Sequence, residues 1–233
     1  MSAPRNHTIV AIDGPSGSGK STISRRVAAQ LGMAYLDTGA MYRAAAWWCV
    51  RDGIDLTDTG AVAQAVRELP LVMGTDPADP GVAVGGEDVS VVIRSTEIST
   101  VVSAVATNLE VRDELRRRQR EIIDASRRES GIVAEGRDIT TVVAPDADVR
   151  ILLVASEEAR LARRAREIHG ADDSSALAAT RDQVLRRDAD DSTVSSFHRA
   201  ADGVVTIDSS ELTLEETVDA VRGLVEATRR SGR

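Results

Sequence analysis

The sequence predicts an α/β fold, a doubly wound parallel sheet of five strands that carries a small antiparallel insertion. Three observations predict it. Short apolar runs at 8–12, 34–36, 132–134, 149–154 and 204–207 alternate with longer stretches of helical periodicity. A glycine-rich loop joins the first run to the first helix. Between 70 and 94 the alternation breaks into shorter apolar runs divided by Gly, Pro and Asp.

Taken in order, Thr8-Ile9-Val10-Ala11-Ile12 is continuously apolar up to Asp13-Gly14, as a parallel strand covered on both faces should be. Residues 20–31 put Ile23, Val27, Ala28 and Leu31 on one helical face, and Gly32 closes the helix. A second strand at 34–36 leads through Thr38-Gly39 into a helix reaching about Arg51. Strand, glycine loop, helix and strand in this order make a βαβ unit. The runs at 69–74, 82–86 and 89–93 read as short insertion strands, with Asp76-Pro77-Ala78-Asp79-Pro80-Gly81 as a turn, and helices flank them. Residues 96–107 and 110–128 follow as helices. Beyond the third and fourth strands, helices are expected at 157–168 and 175–188, joined through 169–174. A fifth strand and a closing helix at 214–229 complete the pattern.

Composition narrows the function. The chain has 233 residues, 42% hydrophobic and 28% charged, which is ordinary globular usage. Aromatics are only 2%, so the core must be aliphatic, and stacking platforms for single-stranded nucleic acid are scarce. A net charge of −8 argues against nucleic acid or an anionic membrane as partner. One cysteine, Cys49, excludes an internal disulfide framework and a Cys-rich metal site. The first seven residues lack the apolar run of a signal peptide, and no stretch approaches the roughly 18 apolar residues of a membrane span. A cytoplasmic monomer is expected.

The chemistry starts in Gly14-Pro15-Ser16-Gly17-Ser18-Gly19-Lys20-Ser21, which matches the P-loop pattern in full, after an apolar strand and at the head of a helix. Such a loop curls its backbone N–H groups into an anion nest. Lys20 is expected to reach the β- and γ-phosphates of ATP, and the Ser21 hydroxyl to coordinate Mg²⁺. Gly14 through Thr22 are therefore the expected ATP-binding residues. Three further features favour a kinase over a hydrolase or switch. Leu36-Asp37-Thr38-Gly39-Ala40-Met41-Tyr42-Arg43 places an arginine at the carboxyl end of strand two, where ligands of open sheets bind. Glu135-Gly136-Arg137-Asp138 does the same after strand three. Arg160, Arg163, Arg164, Arg166, Arg181, Arg186 and Arg187 crowd two helices around a Gly-Asp-Ser segment suited to a lid. Phosphoryl transfer is largely positioning and charge neutralisation, which converging arginines provide. The arginines of 110–128 read mainly as a solvated face, and half of the lid arginines as surface ion pairs.

These motifs resemble one family, the bacterial-type cytidylate kinases of the nucleoside monophosphate kinase class. The resemblance runs in order through the P-loop, the Leu36–Arg43 stretch, Gly86-Glu87-Asp88-Val89-Ser90 with Ile93-Arg94, Val111-Arg112 with Arg117-Arg118-Gln119-Arg120, and Glu135-Gly136-Arg137-Asp138-Ile139 with Thr141-Val142-Val143 and Pro145-Asp146-Ala147. It implies a single P-loop kinase domain over 7–233 behind a flexible leader at 1–6. The core would cover about 7–56, 108–156 and 200–230, the monophosphate-binding insertion about 57–107, and a helical lid about 157–199. It implies transfer of the ATP γ-phosphoryl group to CMP or dCMP, with Mg²⁺. Arg43 and Arg137 would hold the CMP phosphate, with Thr38 and Tyr42 nearby. Ser103, Arg112 and Asp138 would read the cytosine edge, and Arg187 and Asp191 the ribose. Lys20, Arg163, Arg164 and Arg187 would serve catalysis. The sequence departs from the family in two places: Asp191-Ser192-Thr193 is followed by Val194 where the family has an arginine, with Arg199 the next one along, and the segments at 169–174 and 194–199 are short.

Two rival readings stand beside this one. One is a P-loop kinase for another small acceptor, such as a different nucleotide or a coenzyme precursor; the other is a nucleotide-dependent switch or scaffold, which would need no acceptor. Trp47-Trp48 is the only hint of a partner surface, and the pair is expected to pack between its helix and the insertion.

Overall fold

The computed structural model describes residues 7–169, 180–181, 185–186, 188–195 and 197–231. Its strands are β1 Ile9–Asp13, β2 Ala34–Asp37, β3 Leu71–Met73, β4 Val82–Val84, β5 Glu87–Asp88, β6 Ile132–Gly136, β7 Val149–Val154 and β8 Val205–Asp208. Its longer helices are α1 Lys20–Leu31, α2 Thr38–Arg51, α3 Thr59–Glu68, α4 Thr96–Ala106, α5 Leu109–Arg127, α6 Glu157–His169 and α7 Leu214–Ser231. Residues 180–181, 185–186 and 188–192 have helical backbone, whereas the expected linker from 170 onward and Arg187 lie outside the described residues. No helix among the described residues is long and apolar enough to cross a membrane.

The five long strands form one parallel sheet in the order β2-β6-β1-β7-β8, as the alternating pattern predicts. Strand β1 is central, and its side chains divide by parity. Ile9 and Ala11 join the apolar cluster of one face, with α2, α4 and α5, while Val10 and Ile12 join that of the other, with α1 and α7. Both faces are covered, which is why β1 and β6 read as unbroken apolar runs. The first cluster continues without a break into the insertion: Trp47 of α2 shares it with Val62 and Val66 of α3 and with Val82 and Val84 of β4, and Trp48 packs against its edge.

The insertion is a three-stranded antiparallel sheet, β3-β4-β5, with Leu71 opposite Val84 and Val84 opposite Glu87. Its third strand differs from expectation. The strand lies at Glu87–Asp88, and the expected run 89–93 is instead a turn that passes into a single 3₁₀ turn at Val92–Arg94. The reason is spacing. A strand would bury Val89, Val91 and Ile93 together, but Val89 and Ile93 are buried while Val91 is 86% exposed. Burial four residues apart belongs to a helical turn. Helix α3, for which the sequence reading gives no range, starts where Asp58 accepts a hydrogen bond from Ala61 N at 2.9 Å.

A wide turn with i→i+5 hydrogen bonds, Ile139–Val143, follows β6 and was not expected. Asp13, at the end of β1, holds it. Its carboxylate accepts from Ile139 N at 2.9 Å, Thr140 N at 2.8 Å and Thr140 Oγ1 at 2.6 Å. Burial pushes this carboxyl up to about 6, so at neutral pH it is ionised and accepts all three. Asparagine cannot, because its NH₂ would face one of the donors. Asp13→Asn should therefore lower stability by about 1–3 kcal/mol, read by denaturant unfolding at pH 7.5. An unchanged midpoint would remove Asp13 from this role.

Candidate active site

The loop from Gly14 to Gly19 leaves the carboxyl end of β1 and turns into α1. Gly17 has φ 75°, and a Cβ there would lie 2.6 Å from Arg160 O, so no other residue fits without movement. Helix α1 opens without any side-chain cap, so its first-turn N–H groups are left for an anion. Lys20 curls back, its Nζ 3.3 Å from Pro15 O. Two arginines of α6 brace the loop from behind. Arg160 Nη1 donates to Ser16 O at 2.9 Å, and Arg163 Nη1 to Ser18 O at 3.3 Å. Arg163 also reaches Ser209, through Oγ at 3.0 Å and O at 2.6 Å. Asp188 accepts from Ser16 N at 3.0 Å and pairs with Arg160 and Arg137.

The neighbouring strand ends supply a second cationic pocket. Asp37 and Glu135 are paired in the β2–β6 register, which sets two buried carboxyl groups side by side. Asp37 Oδ1 caps α2 through Ala40 N at 2.9 Å, while Oδ2 accepts from Arg43 at 3.1 Å and Arg94 at 3.2 Å. Burial pushes Asp37 up, but the two guanidiniums outweigh it and hold the carboxyl below its usual range. Burial, with the Asp37 charge alongside, pushes Glu135 the other way. Glu135 Oε1 accepts from Ser21 Oγ at 2.5 Å and Tyr35 OH at 3.0 Å. Arg43 Nε is buried and has no hydrogen-bond partner, a donor aimed at something the protein does not supply. Arg137 donates to Asp191 at 2.9 Å and to Gly14 O, with the buried ring of Phe197 4.7 Å from its guanidinium. Thr38 Oγ1 donates to Glu135 O at 2.8 Å, and a Cβ on Gly136 would come within 2.5 Å of that hydroxyl.

Farther along the same cleft, Arg112 and Asp138 form a buried pair at 2.6 Å beside Tyr42, Val102 and Ala106. Arg112 also donates to Ala106 O at 3.0 Å and Ser195 Oγ at 3.2 Å, and its guanidinium lies 5.5 Å from the Tyr42 ring centre. The continuous cleft measures about 1380 Å³. Single-ligand pockets usually run to about 1,000 Å³, so there is room for two nucleotides.

The cleft gathers most of the residues singled out from sequence. Ser16, Gly17, Gly19, Lys20, Ser21 and Thr22 line one end, and Thr38, Tyr42, Arg43, Arg112, Arg137, Asp138 and Asp191 the other, with Arg163 and Arg164 at the rim. Gly14, Pro15 and Ser18, in the same loop, are buried and are not among the lining residues. Ser103 is not among the lining residues, although its neighbours Val102 and Ala106 on α4 are. Arg187 lies outside the described residues, and Arg199 is exposed away from the lining. Arg181, exposed, pairs with Glu157 at 2.8 Å. Sequence reasoning assigned no role to Asp37, Arg94 or Asp188, and counted Arg160 only among the crowded arginines of 160–187. Nothing in local pattern marks Asp188, whose partners lie 28, 51 and 172 residues away.

The profile of the cytidylate kinase family matches residues 10–227. A cytidylate kinase of Streptomyces avermitilis is 50% identical over 95% of this chain and 94% of its own length. One from Nocardia farcinica is 51% identical over 93% of each chain. Among solved structures, an uncharacterized protein from Eubacterium ventriosum matches 95% of this chain and 99% of its own with a TM-score of 0.51 at 11% identity, a likeness of fold alone.

Proposed function

Because the chain belongs to the cytidylate kinase family, we propose that its cleft carries the γ-phosphoryl group of ATP to the phosphate of CMP or dCMP, giving ADP with CDP or dCDP. The observation that carries this reading is the pair of anion pockets in one cleft, backbone amides at the head of α1 and guanidiniums of Arg43 and Arg137 opposite them. ATP would lie with its phosphates in the P-loop and under Lys20. The CMP phosphate would take up Arg43 and Arg137, and its base would lie against Tyr42 with its polar edge on Arg112 and Asp138. Asp191, bonded to Arg137, stands near enough to that pocket to meet the ribose.

The acceptor phosphate is already largely ionised near pH 7, so no side chain need remove a proton. The protein's part is to align the two phosphates and to spread cationic donors around the group in transit. Lys20 follows the charge from donor towards acceptor. Arg163 and Arg164 close the rim, and a lid over 157–199 would keep water from competing for the phosphoryl group. Mg²⁺ suits the donors present, the Ser21 hydroxyl with the Asp37 and Glu135 carboxyls behind it, all hard oxygens. Among the described residues no cluster of three His, Cys, Asp or Glu side chains is placed to hold a metal. When bound, Mg²⁺ neutralises charge on the phosphate oxygens.

Coupled ADP release measured with CMP, dCMP, UMP, AMP and GMP tests the reading. CMP and dCMP should give the highest kcat/KM. A preference for a purine monophosphate would refute the base assignment, and ADP release independent of any acceptor would refute the kinase.

A further inference from the structure

At the base end of the cleft, Asp138 is tied in an uneven way. Three N–H donors converge on one oxygen, Oδ2: Arg112 Nη2 at 2.6 Å, Arg116 Nη2 at 2.7 Å and Arg116 Nε at 3.0 Å. Oδ1 receives no hydrogen bond from any described residue, although Asp138 is almost wholly buried and lines the cleft. Arg112 lines the cleft too, but Arg116 does not; it stands one turn along α5 and reaches Asp138 from outside the cleft, 22% exposed. A guanidinium normally takes a carboxylate with its two donors on two oxygens. Here Arg116 spends both on the same oxygen, so the carboxylate is held end-on and its other oxygen is left without a donor among the described residues.

We propose that Arg116 is a positioning residue for base selection, holding Asp138 so that Oδ1 is presented as a bare acceptor to the exocyclic amino group of a 4-aminopyrimidine. An ionised oxygen with no proton accepts from the 4-amino group of cytosine and repels the 4-oxo group of uracil. Without Arg116, one bond from Arg112 remains, and the carboxylate is free to swing and take the Arg112 fork with both oxygens. The acceptor aimed at the base is then lost, although the buried ion pair survives. The two arginines stand four residues apart on α5, a like-charge spacing that costs a helix a few tenths of a kcal/mol unless a shared anion offsets it. Asp138 is that anion.

The inference rests on the cleft being a cytosine site, and the test separates the two. Steady-state constants for CMP, UMP and ATP are measured on the wild type, Arg116→Met, Arg116→Lys and Asp138→Asn, each checked for an unchanged unfolding midpoint. In Arg116→Met, KM for CMP should rise about tenfold and the CMP-to-UMP ratio of kcat/KM should fall about tenfold, while kcat and the KM for ATP stay within about twofold. Arg116→Lys, a point charge without the fork, should recover part of the ratio. If Asp138→Asn collapses the ratio and Arg116→Met leaves it intact, Arg116 has no part in selection. If Asp138→Asn leaves the ratio intact, the base site itself is misassigned and the inference falls with it. Equal losses for CMP, UMP and ATP in Arg116→Met would show a general structural role and overturn the proposal.

Discussion

Lys20→Ala should lower kcat by about a hundredfold to a thousandfold while leaving the unfolding midpoint within about 2 °C of wild type. The expected loss follows from where the ammonium sits. It bends back over the P-loop at the mouth of an uncapped helix, between the two pockets. On the proposed reading a charge fixed there would meet the phosphoryl group as its negative charge redistributes, and removing one such preorganised donor typically costs two to three orders of magnitude. Stability should hardly change. Lys20 is only partly buried, its removal opens no core cavity, and alanine is the better helix former at the head of α1. Arginine should not restore the rate, because a planar fork cannot follow a moving charge as a flexible point charge does. Activity within tenfold of wild type in Lys20→Ala, measured by coupled ADP release, would displace Lys20 from the transfer step.

The second large effect concerns the acceptor phosphate. Arg43→Ala should reduce kcat/KM for CMP by about a hundredfold or more, with UMP reduced to the same extent and the KM for ATP changed by less than about threefold. Both nucleotides should suffer alike, because on the proposed reading the arginine would meet the phosphate they share. The magnitude is that of truncating one partner of a buried, hydrogen-bonded charge pair. The fold should tolerate the loss, since Asp37 keeps Arg94 and its capping bond to Ala40. Arg137→Ala should match the loss in CMP but also raise the KM for ATP, because Arg137 donates to Gly14 O at the base of the P-loop. An unchanged KM for CMP in Arg43→Ala would empty the second pocket of its assigned ligand. The common loss for CMP and UMP also distinguishes this pocket from the selection ascribed to Arg116.

How much could be read in the chain differs between elements for physical reasons. The central strands β1, β6 and β7 were legible because a doubly covered strand must be largely apolar, as in Ile9-Val10-Ala11-Ile12, whereas β8, mostly exposed at the sheet edge, was legible only as a short apolar run in the alternating pattern. The turn at 89–93 was misread because three apolar residues at alternate positions fit a strand on paper; only the tertiary packing shows Val91 turned out to solvent and Ile93 turned in. The P-loop was legible because its conformation needs glycine and lysine at fixed spacing. Arg43, Arg137 and the Arg112–Asp138 pair were legible as candidates, by their places at strand ends and by resemblance to a family. Whether they share a cleft was not.

From its residues alone, this chain determined its sheet, its nucleotide loop and the kind of chemistry its arginines suit, because each depends on neighbours in sequence or on a repeating period. The tertiary structure decided which charges face one another. Asp13 gripping a turn more than a hundred residues away, Asp188 against the P-loop and Arg116 behind Asp138 are products of chain reversal. No local pattern encodes them, since a salt bridge between distant elements depends on the path of the backbone between them as well as on the two residues that make it.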